Sequence, residues 1–285
     1  MSSSPQPTIV IEARPDTIGA RLRSLWQYRA FLGFLSKEIV MRRARGTLLG
    51  FWWVLLRPLM PAVTLIFTFT SVKPVDTPGN VPYSVFFMSG YVTWRVFQSA
   101  LQYLPRTMTW MQSIMRRAYF PRVLVPVAGL APTLIEFALL CGAFVVVVIS
   151  AWWHDGVLPI RLGPQMLALL PALLGALMFA LAIGMPTAVI ALFFRDVRYA
   201  IRSFANVFMF LTPVVYPVTF IPEQYRWAMY AFNPMAAVVE LSRWALIGGQ
   251  IDWRYVSLSF LTNVIVFVVS VVFFMRAETH LGDQL

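Results

Sequence analysis

From residue 123 to 152 the chain carries a single charged side chain, Glu136, and from 166 to 194 it carries none. A hydrocarbon core about 30 Å thick is crossed by about 20 apolar residues of helix, because a helix pairs its own backbone polar groups. Such runs need a bilayer as their solvent. The same yardstick places spans near 48–72, 83–104, 123–152, 166–194, 203–218 and 256–275. The expected fold is therefore an all-α polytopic membrane protein with six transmembrane helices. It divides into an N-terminal segment, 1–47, a transmembrane domain, 48–275, and a tail, 276–285. Composition agrees, with 12% charged residues against about 25% in soluble domains.

Basic residues set the orientation. Most of the 23 Lys and Arg fall on the side that holds both termini, including Arg106, Arg116, Arg117, Arg122, Arg195, Arg198, Arg202 and Arg276. By the positive-inside rule that side is cytoplasmic. The start, MSSSPQPTIVIEARPD, lacks a basic stretch followed by an apolar one, so no cleaved signal peptide is expected. The net charge of +11 follows from this bias and from attraction to anionic headgroups, so no nucleic acid is expected as a partner.

Two cytoplasmic segments are amphipathic. In RLRSLWQYRAFLGFLSKEIVMRRARG, Leu25, Tyr28, Leu32, Leu35 and Ile39 recur at helical spacing, with Arg42, Arg43 and Arg45 on the polar side. These three arginines read either as a membrane anchor or as contacts for a phosphate-bearing substrate, together with Arg57 and Arg117. The stretch 105–122 reads as a short helix starting at Pro105, with Met108, Met111 and Met115 as an apolar stripe and Gln112 and Arg116 facing elsewhere. That stripe either packs on its own chain or docks a separate subunit.

Little catalytic chemistry is available. Glu136 is open as a packing residue, an interhelix contact or a pore group, and Glu240 reads as a structural pair with Arg243 one turn away. His154 and His280 have no spacing that suits a metal site or a triad. No GxxxxGK[ST] occurs, so the chain is not expected to bind ATP by itself. Neither a membrane-embedded glycan-modifying enzyme nor an ion-coupled secondary transporter finds the clustered acids it needs.

One segment resists a simple helix. TPVVYPVTFIPEQYRWAMYAFNP is apolar yet holds Pro213, Pro217, Pro222 and Pro234, and reads as a re-entrant hairpin within 219–247, turning near Ile221-Pro222-Glu223. Aromatic faces suit sliding sugars, and the candidates for a channel wall are Trp52, Trp53, Phe69, Phe208, Tyr216, Tyr225, Trp227 and Tyr230. An interfacial aromatic belt is the competing role.

Several stretches together, LGFWWVLLRPLMP, VPYSVFFMSGYVTW, RRAYFPRVLVPVAGL, FFRDVRYAI and LTPVVYPVTFIPEQYRWAMYAFNPMAAVVELSRWALIGG, resemble the permease subunits of type-2 ABC exporters for polysaccharides. The O-antigen permeases of the Wzm type are the nearest look, with capsule and teichoic-acid exporters behind. The resemblance implies a homodimer in the bacterial inner membrane, seated on two copies of a cytoplasmic ABC ATPase that binds the ATP and Mg. It also implies a lipid-pyrophosphate-linked glycan as substrate. A coupling helix would lie at 106–118, giving ATPase contacts to Arg106, Met108, Trp110, Met111, Gln112, Met115 and Arg116. A gate helix would lie in the N-terminal segment, and two short re-entrant helices between spans five and six. Arg57-Pro58 departs from the neutral polar residue often found there, and Arg57 is expected to face a wet pore, Glu136 or a phosphate.

Overall fold

The structure is a computed structural model and describes residues 28–44, 52–72, 74–115, 117 and 120–281. Among these residues every regular element is helical. α1 is Arg29–Ala44, α2 Trp52–Phe67 with a π turn at Thr68–Val72, α3 Tyr83–Met115, α4 Leu124–Ala128 and α5 Ala131–Asp155. α6 is Leu169–Phe193, α7 Val197–Leu211, α8 Glu223–Phe232, α9 Pro234–Ile247 and α10 Trp253–Leu281. Among the described residues four stretches are long and apolar enough to cross a membrane: Trp52–Val72, Leu124–Asp155, Pro164–Phe193 and Trp253–Glu278.

α3 is absent from that group, because Arg95, Gln98 and Arg106 lower its hydropathy, yet it is the centre of the molecule. α2, α5, α6, α7 and α9 all pack against it. Its polar residues Ser89, Thr93, Arg95, Gln98 and Ser99 are buried in protein. Lipid tails are as apolar as leucine, so helices hold together here by close packing rather than by escape from water. Small residues permit it. A Cβ on Gly184 of α6 would overlap the Leu104 side chain, and one on Gly90 of α3 would come within 2.8 Å of Val239 on α9. An aromatic cluster fills the middle, with Phe97 stacked on Phe179 at 5.1 Å and Trp94 at 5.9 Å from Phe208.

Three expectations change. The stretch after Pro105 is not a separate helix: α3 runs through Pro105 to Met115. A proline inside a helix removes one backbone bond, and the burial of Leu104, Thr107, Met108 and Met111 on both sides offsets that loss. The third span is broken at Gly129-Leu130 into α4 and α5. The fifth helix is α7, ending at Leu211, and the chain is irregular from Thr212 to Pro222 apart from one 3-10 turn at Val218–Phe220. The irregular stretch is therefore longer than the turn expected near Ile221-Pro222-Glu223.

Two ends are distinct. At one, Leu35 and Ile39 of α1 pack with Met108, Met111, Phe120, Leu124, Met185 and Phe274. At the other, loops around Pro78–Pro82, Asp155–Arg161 and Gly248–Gln250 surround a cavity of about 790 Å³, which Glu240, Arg243 and Trp244 also line.

Candidate functional site

A polar network crosses the apolar middle of the molecule. Glu136 of α5, 1% exposed, accepts from Nε of Arg95 at 3.0 Å and from its Nη2, forming a buried ion pair between α3 and α5. Ser99 donates to the second carboxylate oxygen at 2.9 Å. Arg95 spends Nη1 on Oε1 of Gln98 at 2.8 Å, and Nε2 of Gln98 donates to Oδ1 of Asn206 on α7 at 3.0 Å. The spacing 95, 98 and 99 puts the three α3 residues on one side of the helix. A buried charge without such partners would cost several kcal/mol, so this network allows a carboxylate and a guanidinium to sit at membrane depth.

The network makes Glu136 an interhelix contact, one of the three roles left open for it, with Arg95 as its partner. Arg57 does not reach it; Arg57 lies on an exposed face of α2. Arg95 was missed in the sequence because 41 positions separate it from Glu136. The available signal was that each is the only ionised residue in the middle of its own apolar run.

A second set of contacts surrounds the proline-broken segment. Arg243 donates from Nη1 to the Pro213 carbonyl and from Nη2 to the Val214 carbonyl, while its guanidinium carbon sits 3.9 Å from the Phe86 ring centroid. Tyr83 donates to the Val215 carbonyl at 2.8 Å, and Asn233 Nδ2 to Thr212 Oγ1 at 2.9 Å. Asn233 also accepts from the Met235 N–H at 3.1 Å, capping α9. Irregular backbone at membrane depth is stable only when such donors satisfy it. The Glu240–Arg243 pair is therefore split: Arg243 turns to the broken segment, and Glu240 accepts from the Tyr230 hydroxyl. The carbonyl row of 213–214 was invisible to helical spacing.

The other candidate residues separate by exposure. Trp52 is 66% exposed, Tyr225 and Trp227 are exposed, and Trp53, Phe69 and Tyr216 are half-buried. Phe208 and Tyr230 are corrected from channel wall to interior: Phe208 lies in the aromatic cluster, and Tyr230 stacks on Tyr255 at 5.2 Å.

Met108 and Met111 are both 0% exposed and pack beneath α1, so the methionine stripe joins the chain's own core. Trp110 and Met115 lie half-buried beside them, as do Arg106 and Gln112. Arg42 is exposed and pairs with Glu38 at 2.9 Å, and Arg117 is exposed. Arg45, Arg116 and the N-terminal part of the expected amphipathic helix lie outside the described residues, as does the side chain of Arg43. Among the described residues no group of His, Cys, Asp and Glu could hold a metal.

Residues 31–247 match the family described as ABC-2 type transporter. The O-antigen export system permease protein RfbA of Klebsiella pneumoniae is 25% identical over 251 residues, covering 85% of this chain and 90% of the relative. Its namesake in Myxococcus xanthus is 27% identical over 223 residues, covering 76% of this chain and 80% of the relative. The polysialic acid transport protein KpsM of Escherichia coli is 23% identical over 237 residues, 82% of this chain and 88% of that protein. With most of its membrane helices inside the matched range, this chain belongs to the ABC-2 type transporter family.

Proposed function

We propose that this chain is the permease subunit of an ATP-driven exporter that moves a lipid-linked polysaccharide, O-antigen in the first instance, across the bacterial inner membrane. The observation that carries the reading is a likeness extending over 85% and 76% of the chain to two permeases named for O-antigen export. Export of a capsular polysaccharide is the second reading, favoured by the polysialic acid transport protein among the relatives.

Geometry supports a two-fold homodimer. The outer row of α2, Trp52, Leu56, Arg57, Met60, Val63 and Phe67, is exposed in the single chain. An arginine in the apolar course of such a helix cannot rest against lipid at low cost. A water-filled conduit between two copies solvates Arg57 and gives the glycan its path. Six spans, with α8 and α9 as a re-entrant pair between α7 and α10 and both termini cytoplasmic, complete the arrangement.

Two copies of a cytoplasmic ABC ATPase bind ATP and Mg and push on the Met115 end of α3. Since Met108 and Met111 are buried by α1, the contact falls to Gln112, Ser113, Trp110 and Met115. Arg42, Arg43, Arg45 and Arg117 meet the lipid-borne phosphates at the mouth. Nothing in this chain hydrolyses ATP, so its part is mechanical.

The test is reconstitution of the permease with its ATPase in proteoliposomes. Lipid-linked glycan is expected to stimulate hydrolysis and to cross the bilayer only with ATP. Hydrolysis that is indifferent to lipid-linked glycan overturns the reading.

A further inference from the structure

α3 packs against α7 through the Gln98–Asn206 contact, and two turns from that contact on the respective helices stand Arg106 and Arg198, with Arg202 one turn from Asn206, so three arginines gather at the base of α7. Arg106 of α3 is held below the ordinary arginine range, first by partial burial and then by the like charges of Arg202 and Arg198. Among the described residues none of the three takes part in an ion pair. One turn further along α7, Asn206 lies on the same side as Arg202, with Ser203 next to it, and all three are exposed. From Phe204 to Leu211 the helix is otherwise apolar. The row is therefore a polar stripe on an oily helix.

The buried network fixes the chemical sense of that stripe. A guanidinium can only donate, so Arg95 Nη1 requires Gln98 to turn its Oε1 inward, at 2.8 Å. The Gln98 amide nitrogen must then point to Asn206, whose Oδ1 accepts it at 3.0 Å. Asn206 is left with both amide N–H groups directed away from Gln98, on the exposed face. Arginine, arginine, arginine and an amide held by its oxygen all offer N–H donors, and among the described residues no carboxylate is ion-paired with them, Asp196 at the start of α7 included. A second copy pressed row to row would set guanidinium against guanidinium, which costs rather than stabilises. An ionised phosphate, which only accepts, is the complementary occupant.

We propose that Arg106, Arg198, Arg202 and Asn206 form a site for the phosphate oxygens of a membrane-embedded lipid headgroup, and that Gln98 is a positioning residue that holds the Asn206 donors outward. The site is distinct from the basic cluster of α1. Its identification with the carrier of the glycan rests on the exporter reading; the phosphate chemistry does not.

The experiment uses the full chain in phosphatidylcholine nanodiscs, titrated with a polyprenyl pyrophosphate or with phosphatidylglycerol, and bound lipid read by native mass spectrometry. Arg202→Gln is expected to weaken binding about tenfold with unchanged melting temperature, and Asn206→Leu to weaken it about as much while lowering the melting temperature, because it leaves the Gln98 amide without its acceptor. Gln98→Leu is expected to weaken binding in the native background and to add nothing in the Asn206→Leu background. A merely structural Gln98 would weaken both alike, and that result overturns the positioning role. Binding unchanged in Arg202→Gln and Asn206→Leu overturns the site. So does a disulfide between two Asn206→Cys copies in the bilayer, which needs Cα atoms within about 7 Å and would mean that a second copy covers the row. Preference for the pyrophosphate assigns the site to a carrier lipid, and equal binding assigns it to phospholipid headgroups; either supports the phosphate site. If hydrolysis ignores lipid-linked glycan while this binding persists, the exporter reading falls and the site stands.

Discussion

Glu136 and Arg95 exist as charges at membrane depth only because each has the other. Removing one partner leaves the second uncompensated, at about 3–5 kcal/mol, whereas an apolar pair of similar volume is often neutral. Glu136→Gln is therefore expected to lower the melting temperature of the purified protein clearly, and Arg95→Leu with Glu136→Leu to recover most of the loss. Equal melting of wild type and Glu136→Gln would remove the ion pair as a stabilising contact. Arg57 is expected to behave in the opposite way. Exposed and unburied, Arg57→Leu should leave stability unchanged and reduce ATP-driven transport by about tenfold, the scale of a lost charge-assisted contact. Transport at the native rate would exclude a pore role. These two residues also mark what a sequence can disclose: their depth was legible from the runs around them, but the partner of Glu136 was not. Pairing across 41 positions depends on which faces of α3 and α5 meet, and spacing along one helix contains no such information.

At the level of elements, the proline-broken stretch and α9 stabilise one another. Arg243 supplies donors to the Pro213 and Val214 carbonyls, and Ser242 beside it donates to the Ser89 carbonyl at 2.7 Å, tying α9 to α3. Arg243→Leu leaves two carbonyls without donors in an apolar surrounding. Amide exchange in residues 212–217 is expected to rise by at least tenfold, with that in α5 and α6 unchanged. Uniform protection across the chain would show that the segment does not depend on Arg243. The four prolines of 212–234 announced that the helix stops, and two short helices, Glu223–Phe232 and Pro234–Ile247, lie between α7 and α10. The continuity of α3 was not legible. Pro105 signals a helix start, and only the packing of its neighbours under α1 and against Gly184 overrides that signal.

For the molecule as a whole, the proposed dimer covers the exposed face of α2 and leaves that of α5 to lipid. With the half-buried Cys141 replaced by alanine, Met60→Cys on α2 is expected to give a covalent dimer in native membranes with a short bifunctional maleimide. Val145→Cys, exposed on α5, is the control expected to stay monomeric. Cross-linking of the control alone would move the interface to α5. The helical class and the long apolar stretches were readable from composition and run length, since the bilayer permits few alternatives. The buried centre was not, because α3 looks too polar to be the core until five other helices are seen around it.

α3 has 33 residues in one unbroken helix, which at 1.5 Å each makes a rod of roughly 50 Å. Its far end is fastened to the broken segment through Tyr83 and Val215. If the proposed push at the Met115 end tilted such a rod by about 5°, Tyr83 would move by roughly 4 Å, and its bond to Val215 would pass that displacement to the segment that cannot run straight.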